Sequence, residues 1–356
     1  MNILYLNNSM HLGGDNKCIL KLCKELKENN KICIASNGGI LEDEFTNLGI
    51  KHYQIKNVVD KRPSVIISNI KSLIKIIKNE QIDIIHSHHR MSTMTAKIVS
   101  KFTGTKVIHT QHLCIEDKFK LTKMALNNIR TIAVSESAKR ILIEKSGLSE
   151  KDITTIYNAI ETETENKKVD SKLVELKNKG YFIVAQVSRI IDYKGIYDFV
   201  NVSKETVKKN DNIRFVLIGD GPEFNNLKKI LVKENLEEYV YMLGRKDNVI
   251  EHLKYIDLLI LCSYIEGLPL GPIEAFSQGV PVIATNIDGT NEEIINDYNG
   301  YLVEKKDIQG FVDNIQKIYD NDTLRYNLSE NAKKDYAERF TTEKYVNMHK
   351  EVYLEQ

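Results

Sequence analysis

The chain has 356 residues, a formal net charge of +1, 42% hydrophobic and 28% charged residues, which is room for two α/β domains with full cores and the composition of a soluble globular protein. No stretch approaches the roughly 18 uninterrupted apolar residues of a membrane helix, and residues 1–6 (MNILYL) lack the basic start and long apolar region of a secretory signal. Five cysteines, odd in number and without CxxC spacing, imply buried thiols in a reducing cytosol.

The small net charge hides an asymmetry: residues 1–160 carry 24 Lys+Arg against 15 Asp+Glu, and residues 161–356 carry 26 against 34. A basic half implies an anionic partner, or lysines spread over solvated helices. Nucleic acid fits poorly, because the basic residues are not interleaved with aromatics and the chain has no tryptophan. An anionic membrane surface or a phosphate-bearing acceptor fits better.

Residues 2–6 form the first predicted strand. The turn from His11 to Asp15 follows, with Gly13 and Gly14 letting the backbone approach a ligand at the start of an amphipathic helix. Such a turn is as often merely tight. Strands follow at residues 31–35, 53–55, 82–86, 105–110 and 131–134, with helices between them, including one at 41–48. Helix 65–78 puts Ile66, Ile70, Leu73, Ile74 and Ile77 on one face and Lys71, Lys75 and Lys78 on the other. Packing on the sheet explains it more simply than lying on a membrane. Alternating strands and helices mean a doubly wound parallel sheet.

Five of nine histidines fall between residues 86 and 112: His86, His88, His89, His109 and His112. His86 and His88 would share a strand face, so a metal site is considered. Both segments, however, end strands at the ligand-binding edge, which favours one or two histidines contacting substrate. Asn158 lies just past strand 153–157, and residues 161–169 read as an interdomain linker.

A second α/β unit begins with strand 181–187. Arg189 and Lys194 then stand where two cations can clamp a pyrophosphate. Strand 213–218 ends in the tight turn 219–222 (GDGP), and strand 240–243 ends in Gly244. Residues 258–285 come next: a buried strand at 258–261, a Gly/Pro-rich loop at 266–271, a short helix with Pro272 as its first residue and Gly279 as its left-handed cap, and a second buried strand at 280–284. The loop falls at the carboxyl end of a parallel sheet, where open α/β sheets bind ligands. Amides of Gly267, Leu268, Leu270 and Gly271 make an anion site, and Glu266 and Glu274 frame it as acceptors for sugar hydroxyls. That is the outline of a nucleotide-sugar site. In the plain alternative Glu274 answers the helix dipole and Glu266 is solvated. Two long helices, 307–319 and 322–337, and a segment from Thr341 close the chain; Asp320-Asn321-Asp322 formally matches a metal-binding DxD, but its place between helices makes it a cap.

Residues 189–195 (RIIDYKG), 219–222 (GDGP) and 266–274 (EGLPLGPIE), followed by Gly279-Val280-Pro281, resemble the retaining glycosyltransferases of family 4 over nearly the whole chain. The resemblance implies a GT-B fold, two Rossmann-like doubly wound domains facing a central cleft. Residues 1–165 would read the acceptor, 166–336 would bind the nucleotide-sugar, and 337–356 would cross back to the first domain. It implies a catalytic set of His112, Glu266, Arg189 and Lys194. Donor contacts would come from Gly13, Gly14, Gly219, Gly244, Gly267, Leu268, Leu270 and Glu274, and acceptor contacts from His88 and Asn158. Ala159 stands where the family has glycine after the asparagine. No metal or other cofactor is implied, since cations and helix dipoles serve the leaving group.

The expected reaction moves a hexose or N-acetylhexosamine from a nucleotide-sugar, UDP-linked by family weight, to a sugar or lipid-linked acceptor in cell-envelope or capsular polysaccharide synthesis. The alternatives are a UDP-N-acetylglucosamine epimerase of the same fold or a non-catalytic nucleotide-sugar-binding protein. A glycoside hydrolase would share the two carboxylates but have no use for the cations. The expected location is cytoplasmic, with peripheral contact to an anionic inner membrane face left open.

Overall fold

The computed structural model describes residues 1–11, 13–115, 117–160, 162 and 168–355. The chain divides into two compact units, Met1–Asn158 with Thr342–Gln356, and Ala159–Thr341. The stretch expected to be a linker falls largely outside the described residues. The first unit runs β1 (Asn2–Leu6), α1 (Gly14–Leu26), β2 (Lys31–Ser36), α2 (Glu42–Asn47), β3 (Lys51–Gln54), α3 (Pro63–Glu80), β4 (Ile84–Ser87), α4 (Arg90–Thr103), β5 (Lys106–Gln111), α5 (Phe119–Leu126), β6 (Arg130–Ala133), α6 (Glu136–Glu144) and β7 (Ile153–Thr155). The second runs α7 (Ser171–Asn178), β8 (Phe182–Val187), α8 (Ile196–Lys209), β9 (Ile213–Ile218), α9 (Phe224–Lys233), β10 (Val240–Gly244), α10 (Val249–Leu253), β11 (Leu258–Leu261), α11 (Leu270–Ser277), β12 (Val282–Thr285), α12 (Thr290–Glu293), β13 (Gly300–Val303), α13 (Ile308–Tyr319) and α14 (Asp322–Arg339). The last helix, α15 (Thr342–Leu354), belongs to the first unit.

Both sheets are parallel. Their strand orders are β3-β2-β1-β4-β5-β6-β7 and β10-β9-β8-β11-β12-β13. A parallel sheet is covered on both faces, so its inner strands are continuous apolar runs rather than alternating ones. Ile3, Leu4, Tyr5 and Leu6 of β1 and Leu258, Leu259 and Ile260 of β11 are all fully buried. Each order reverses once, between β1 and β4 and between β8 and β11. At such a reversal the loops that follow the two strands run to opposite sides of the sheet, which is where open parallel sheets bind ligands at their carboxyl edge.

In the first unit, β3 and α3 differ from expectation in ways the packing explains. β3 lies at Lys51–Gln54 because pairing with β2 starts at Cys33 opposite Lys51, and apolar Ile55 drops beneath α3 after the strand ends. Helix α3 buries Val65, Asn69, Leu73, Ile76 and Ile77, leaving Ile66 and Ile74 half-buried. The Asn69 amide sets this rotation: its Oδ1 accepts from Lys56 N and its Nδ2 donates to Lys56 O, both at 3.0 Å. Asn321 caps α14 by accepting from Leu324 N at 2.9 Å.

Helix α15 is held to the first sheet by its polar edge. The Tyr353 hydroxyl bonds His86 Nδ1 at 2.7 Å and the Tyr5 hydroxyl at 3.1 Å, while Arg130 Nε meets Glu355 at 2.6 Å. At the end of α3, Glu80 gathers Lys31 and Lys51, each at 2.8 Å, and the Tyr53 hydroxyl. These partners lower its carboxyl to about 2. A depressed carboxyl stabilises the fold above its unfolded value, and that stability disappears as pH falls toward about 2. Urea midpoints measured from pH 5 to pH 2 are therefore expected to fall less steeply in Glu80→Gln than in the parent.

Candidate functional site

The second unit builds its site from close backbone approaches. After β8, residues 188–191 lead into a 3-10 turn, Asp192–Lys194, closed by Gly195 at φ 63°. A Cβ on Gly195 would sit 1.8 Å from Cys262 O, just past β11. A Cβ on Gly219, after β9 at φ 151°, would sit 1.8 Å from Ser188 O. Gly289, after β12 at φ 97°, would strike Gly267 O at 2.4 Å. No side chain fits any of these contacts, so glycine is what allows the loops after β8, β9, β11 and β12 to touch.

Those contacts bring the expected cation and carboxylate together. Lys194 Nζ lies 2.6 Å from Glu266 Oε1, with side-chain exposures of 18% and 5%. Gln186, fully buried near the end of β8, holds the frame: its Nε2 donates to Lys194 O at 2.9 Å and to Ser188 Oγ at 3.1 Å, and its Oε1 accepts from Cys262 N at 3.4 Å. The backbone adds a strap, Tyr264 N to Tyr193 O at 2.8 Å, and the Tyr264 hydroxyl donates to Asp198 at 2.8 Å. Arg189 is exposed on the same loop. Gly219 N donates to Gly244 O at 3.0 Å, joining the ends of β9 and β10.

Helix α11 starts at Leu270, two residues earlier than expected, with Pro269 as N-cap and no side chain capping it. Pro272 is thus its third residue, where its missing N–H is one of the four that a helix start leaves unbonded. The amides of Leu270 and Gly271 stay in that open first turn. Gly267 and Leu268 are buried just before it, and Glu274 is buried within the helix. Gly279 follows the helix at φ 70°.

Sequence reasoning passed over two residues. Gln186 carried a signal, as the one polar residue in the strand FIVAQV. Glu293 carried none, because an acid on a one-turn helix reads as solvated. It is fully buried, and neither carboxylate oxygen has a hydrogen-bond partner among the described residues. Burial first, then the charge of Glu266, pushes its carboxyl well above the ordinary range.

In the first unit, Gly13 is the extended N-cap of α1 and Gly14 its first residue. Asn7 Nδ2 donates to Asp15 at 3.1 Å and to Asn16 Oδ1 at 2.8 Å, which fixes that turn. Asn158 is buried, its Oδ1 accepting from Cys18 Sγ at 3.4 Å. The histidines bond to one another and to hydroxyls. His88 Nδ1 and His112 Nε2 are 2.9 Å apart, and the His88 ring centroid lies 4.2 Å from that of His86. His86 Nε2 meets Thr110 at 2.7 Å and His109 Nδ1 meets Thr93 at 2.8 Å. Burial holds all four imidazoles below the ordinary histidine range, His109 at about 3. Among the described residues no three His, Cys, Asp or Glu side chains converge as metal ligands, and no helix is long and apolar enough to cross a membrane.

Two family descriptions match the chain in tandem: "Glycosyltransferase Family 4" over residues 12–164 and "Glycosyl transferases group 1" over residues 167–335. A UDP-Gal:alpha-D-GlcNAc-diphosphoundecaprenol alpha-1,3-galactosyltransferase of Escherichia coli is 28% identical, covering 82% of this chain and 80% of its own. The N-acetyl-alpha-D-glucosaminyl L-malate synthase of Bacillus anthracis is also 28% identical, covering 79% and 77%. The crystal structure of HepE from Anabaena in complex with UDP superposes with a TM-score of 0.86 at 18% identity over 99% of both chains. That likeness shows the GT-B fold.

Glu293 yields a prediction that needs no ligand. A carboxyl raised in the folded state stays protonated there while it ionises on unfolding, so it lowers stability as pH rises above the unfolded value near 4.3, by up to about 1.4 kcal/mol per pH unit. Glu293→Gln is expected to gain on the parent in urea midpoint as pH rises from 4.5 to 7.5. Parallel pH profiles would contradict it.

Proposed function

The chain belongs to the family-4 glycosyltransferases, and from that premise we propose that it moves a hexose or N-acetylhexosamine, with retention of configuration, from a UDP-sugar to an acceptor in cell-envelope or capsular polysaccharide synthesis. The observation that carries the reading is the Lys194–Glu266 pair, half-buried lysine on buried glutamate, at the switch point between β8 and β11. A cation there is largely shielded from water by the loops that hold it, with a side-chain exposure of 18%.

Cleavage of a sugar–phosphate bond builds negative charge on the diphosphate and positive charge at the anomeric carbon. Arg189, Lys194 and the amides of Gly267, Leu268 and Leu270 would stabilise the leaving group, with Gly13, Gly14, Gly219 and Gly244 allowing close backbone approach. Glu266 would accept from donor-sugar hydroxyls, and Lys194 sets its orientation. Glu274 would accept from the ribose. His112 would meet the transferred sugar, with His88 and Asn158 behind it on the acceptor side. The proposal needs no metal, because the leaving group already has two cations and a helix start.

Only the first of the two relatives favours an envelope role. The Escherichia coli enzyme is named for transfer from UDP-Gal to a diphosphoundecaprenol-linked sugar, and the Bacillus anthracis enzyme for an L-malate product. Residues 51–150, with 18 Lys+Arg against 8 Asp+Glu, suit a polyanionic or lipid-linked acceptor and peripheral contact with an anionic membrane.

A thermal-shift panel of nucleotide-sugars is expected to raise the melting temperature with UDP-linked donors above GDP- or ADP-linked ones. With the donor found, Lys194→Ala and Arg189→Ala should each lower kcat/KM by roughly 10²–10³-fold. Glu274→Gln should act mainly on the donor KM, by roughly 10–100-fold. Full activity in Lys194→Ala would contradict the role given to Lys194, and sugar release that ignores every acceptor would contradict transfer.

A further inference from the structure

We infer that His88 is a positioning residue that fixes the proton of His112 on Nδ1, making His112 a hydrogen-bond donor toward whatever enters the carboxyl edge of the first sheet. The inference deepens the proposed function, since the use of that donor in sugar transfer rests on that reading. The placement of the proton does not.

β4 and β5 are parallel neighbours, paired through Ser87 and His109, so the residues just beyond their ends, His88 and His112, come side by side. Their rings stack at 5.2 Å between centroids with 26° between planes, and His88 Nδ1 lies 2.9 Å from His112 Nε2. A neutral imidazole carries one N–H, so one ring donates to the other and the direction decides both tautomers. Both rings are kept neutral by burial, against only the opposing charge of Asp15 at His112.

His88 supplies the decision. Its second nitrogen, Nε2, is buried and has no partner among the described residues. If that nitrogen bore the proton, an N–H would be orphaned in the interior, the rarer and costlier kind of unmet group. If Nδ1 bears it, the interior holds only an unused lone pair. His88 Nδ1–H therefore donates to His112 Nε2, whose lone pair is taken up. The His112 proton must then sit on Nδ1, which has no hydrogen-bond partner among the described residues and lies on a half-buried side chain.

Packing keeps His88 in this role. Its ring is pressed against His86 at 4.2 Å and Tyr5 at 5.9 Å. His86 is itself held at both nitrogens, by the Tyr353 hydroxyl of α15 and by Thr110. The last helix thus braces, through His86, the ring that sets the tautomer of His112. The chemical consequence is that His112 presents a donor and no free lone pair. It can bind a sugar oxygen and cannot take a proton from a hydroxyl.

The test is a long-range proton–nitrogen correlation spectrum of the ligand-free full chain labelled with 15N-histidine, the two residues assigned by the signals lost in His88→Asn and His112→Gln. The expected result is a protonated Nδ1 and a bare Nε2 in both rings. A protonated Nε2 on His112, or an imidazolium near neutral pH, would overturn the inference without any variant. His88→Asn, whose Nδ2 can donate from the place of the lost Nδ1, is expected to keep the His112 tautomer, and His88→Leu to mix it. An unmixed tautomer in folded His88→Leu would also overturn it. Once a donor sugar is known, His88→Leu should lose on the order of tenfold in kcat and His88→Asn should recover most of it. The expected spectrum with no transfer from any UDP-sugar would leave the proton placement standing and remove the transfer reading instead.

Discussion

Backbone-to-backbone contact at the carboxyl edge of the second sheet is the constraint from which the rest of the candidate site follows. Gly195 against Cys262, Gly219 against Ser188 and Gly289 against Gly267 are approaches that a single methyl group would block. They let loops from four strands close on one another. Lys194 and Glu266, 72 residues apart in sequence, then meet at 2.6 Å with little exposure to water. A charge pair so placed is a costly ornament unless geometry and further hydrogen bonds support it. Gln186 supplies that support by bonding the backbone on both sides of the pair.

The two units place different kinds of groups at their sheet edges. The second gathers fixed cations, carboxylates and open amides, a surface suited to charge that develops on a departing diphosphate. The first gathers neutral groups: buried imidazoles, tyrosine hydroxyls and threonines that bond one another. Desolvation makes these histidines poor proton acceptors, so their value lies in direction and in the hydrogen bonds they offer.

Much of this was legible in the residues, and the reasons differ from place to place. Apolar runs marked β8, β9 and β11 to within a residue, because strands buried on both faces have no alternation to misread. The eight-residue spacing of Glu266 and Glu274 and the position of Lys194 pointed to one edge. The start of α11 was misplaced because proline is most at home at the first helical position, yet the third costs it no hydrogen bond. The rotation of α3 escaped periodicity because Asn69, a polar residue, faces inward to bond Lys56. Glu293 was invisible for a deeper reason: burial of an unpaired acid is a property of tertiary packing, and no local pattern announces it. The pairing of His88 with His112 likewise depends on the neighbouring of β4 and β5, which strand order alone decides.

Calorimetric titration with UDP and with uridine tests the central claim most directly, because the two ligands differ only in the diphosphate. The account predicts that UDP binds at least about a hundredfold more tightly than uridine, through charge-assisted bonds to Arg189, Lys194 and the α11 amides, and that Lys194→Ala removes most of that ratio while leaving uridine binding unchanged. Equal affinity for the two ligands, or a ratio untouched by Lys194→Ala, would contradict it.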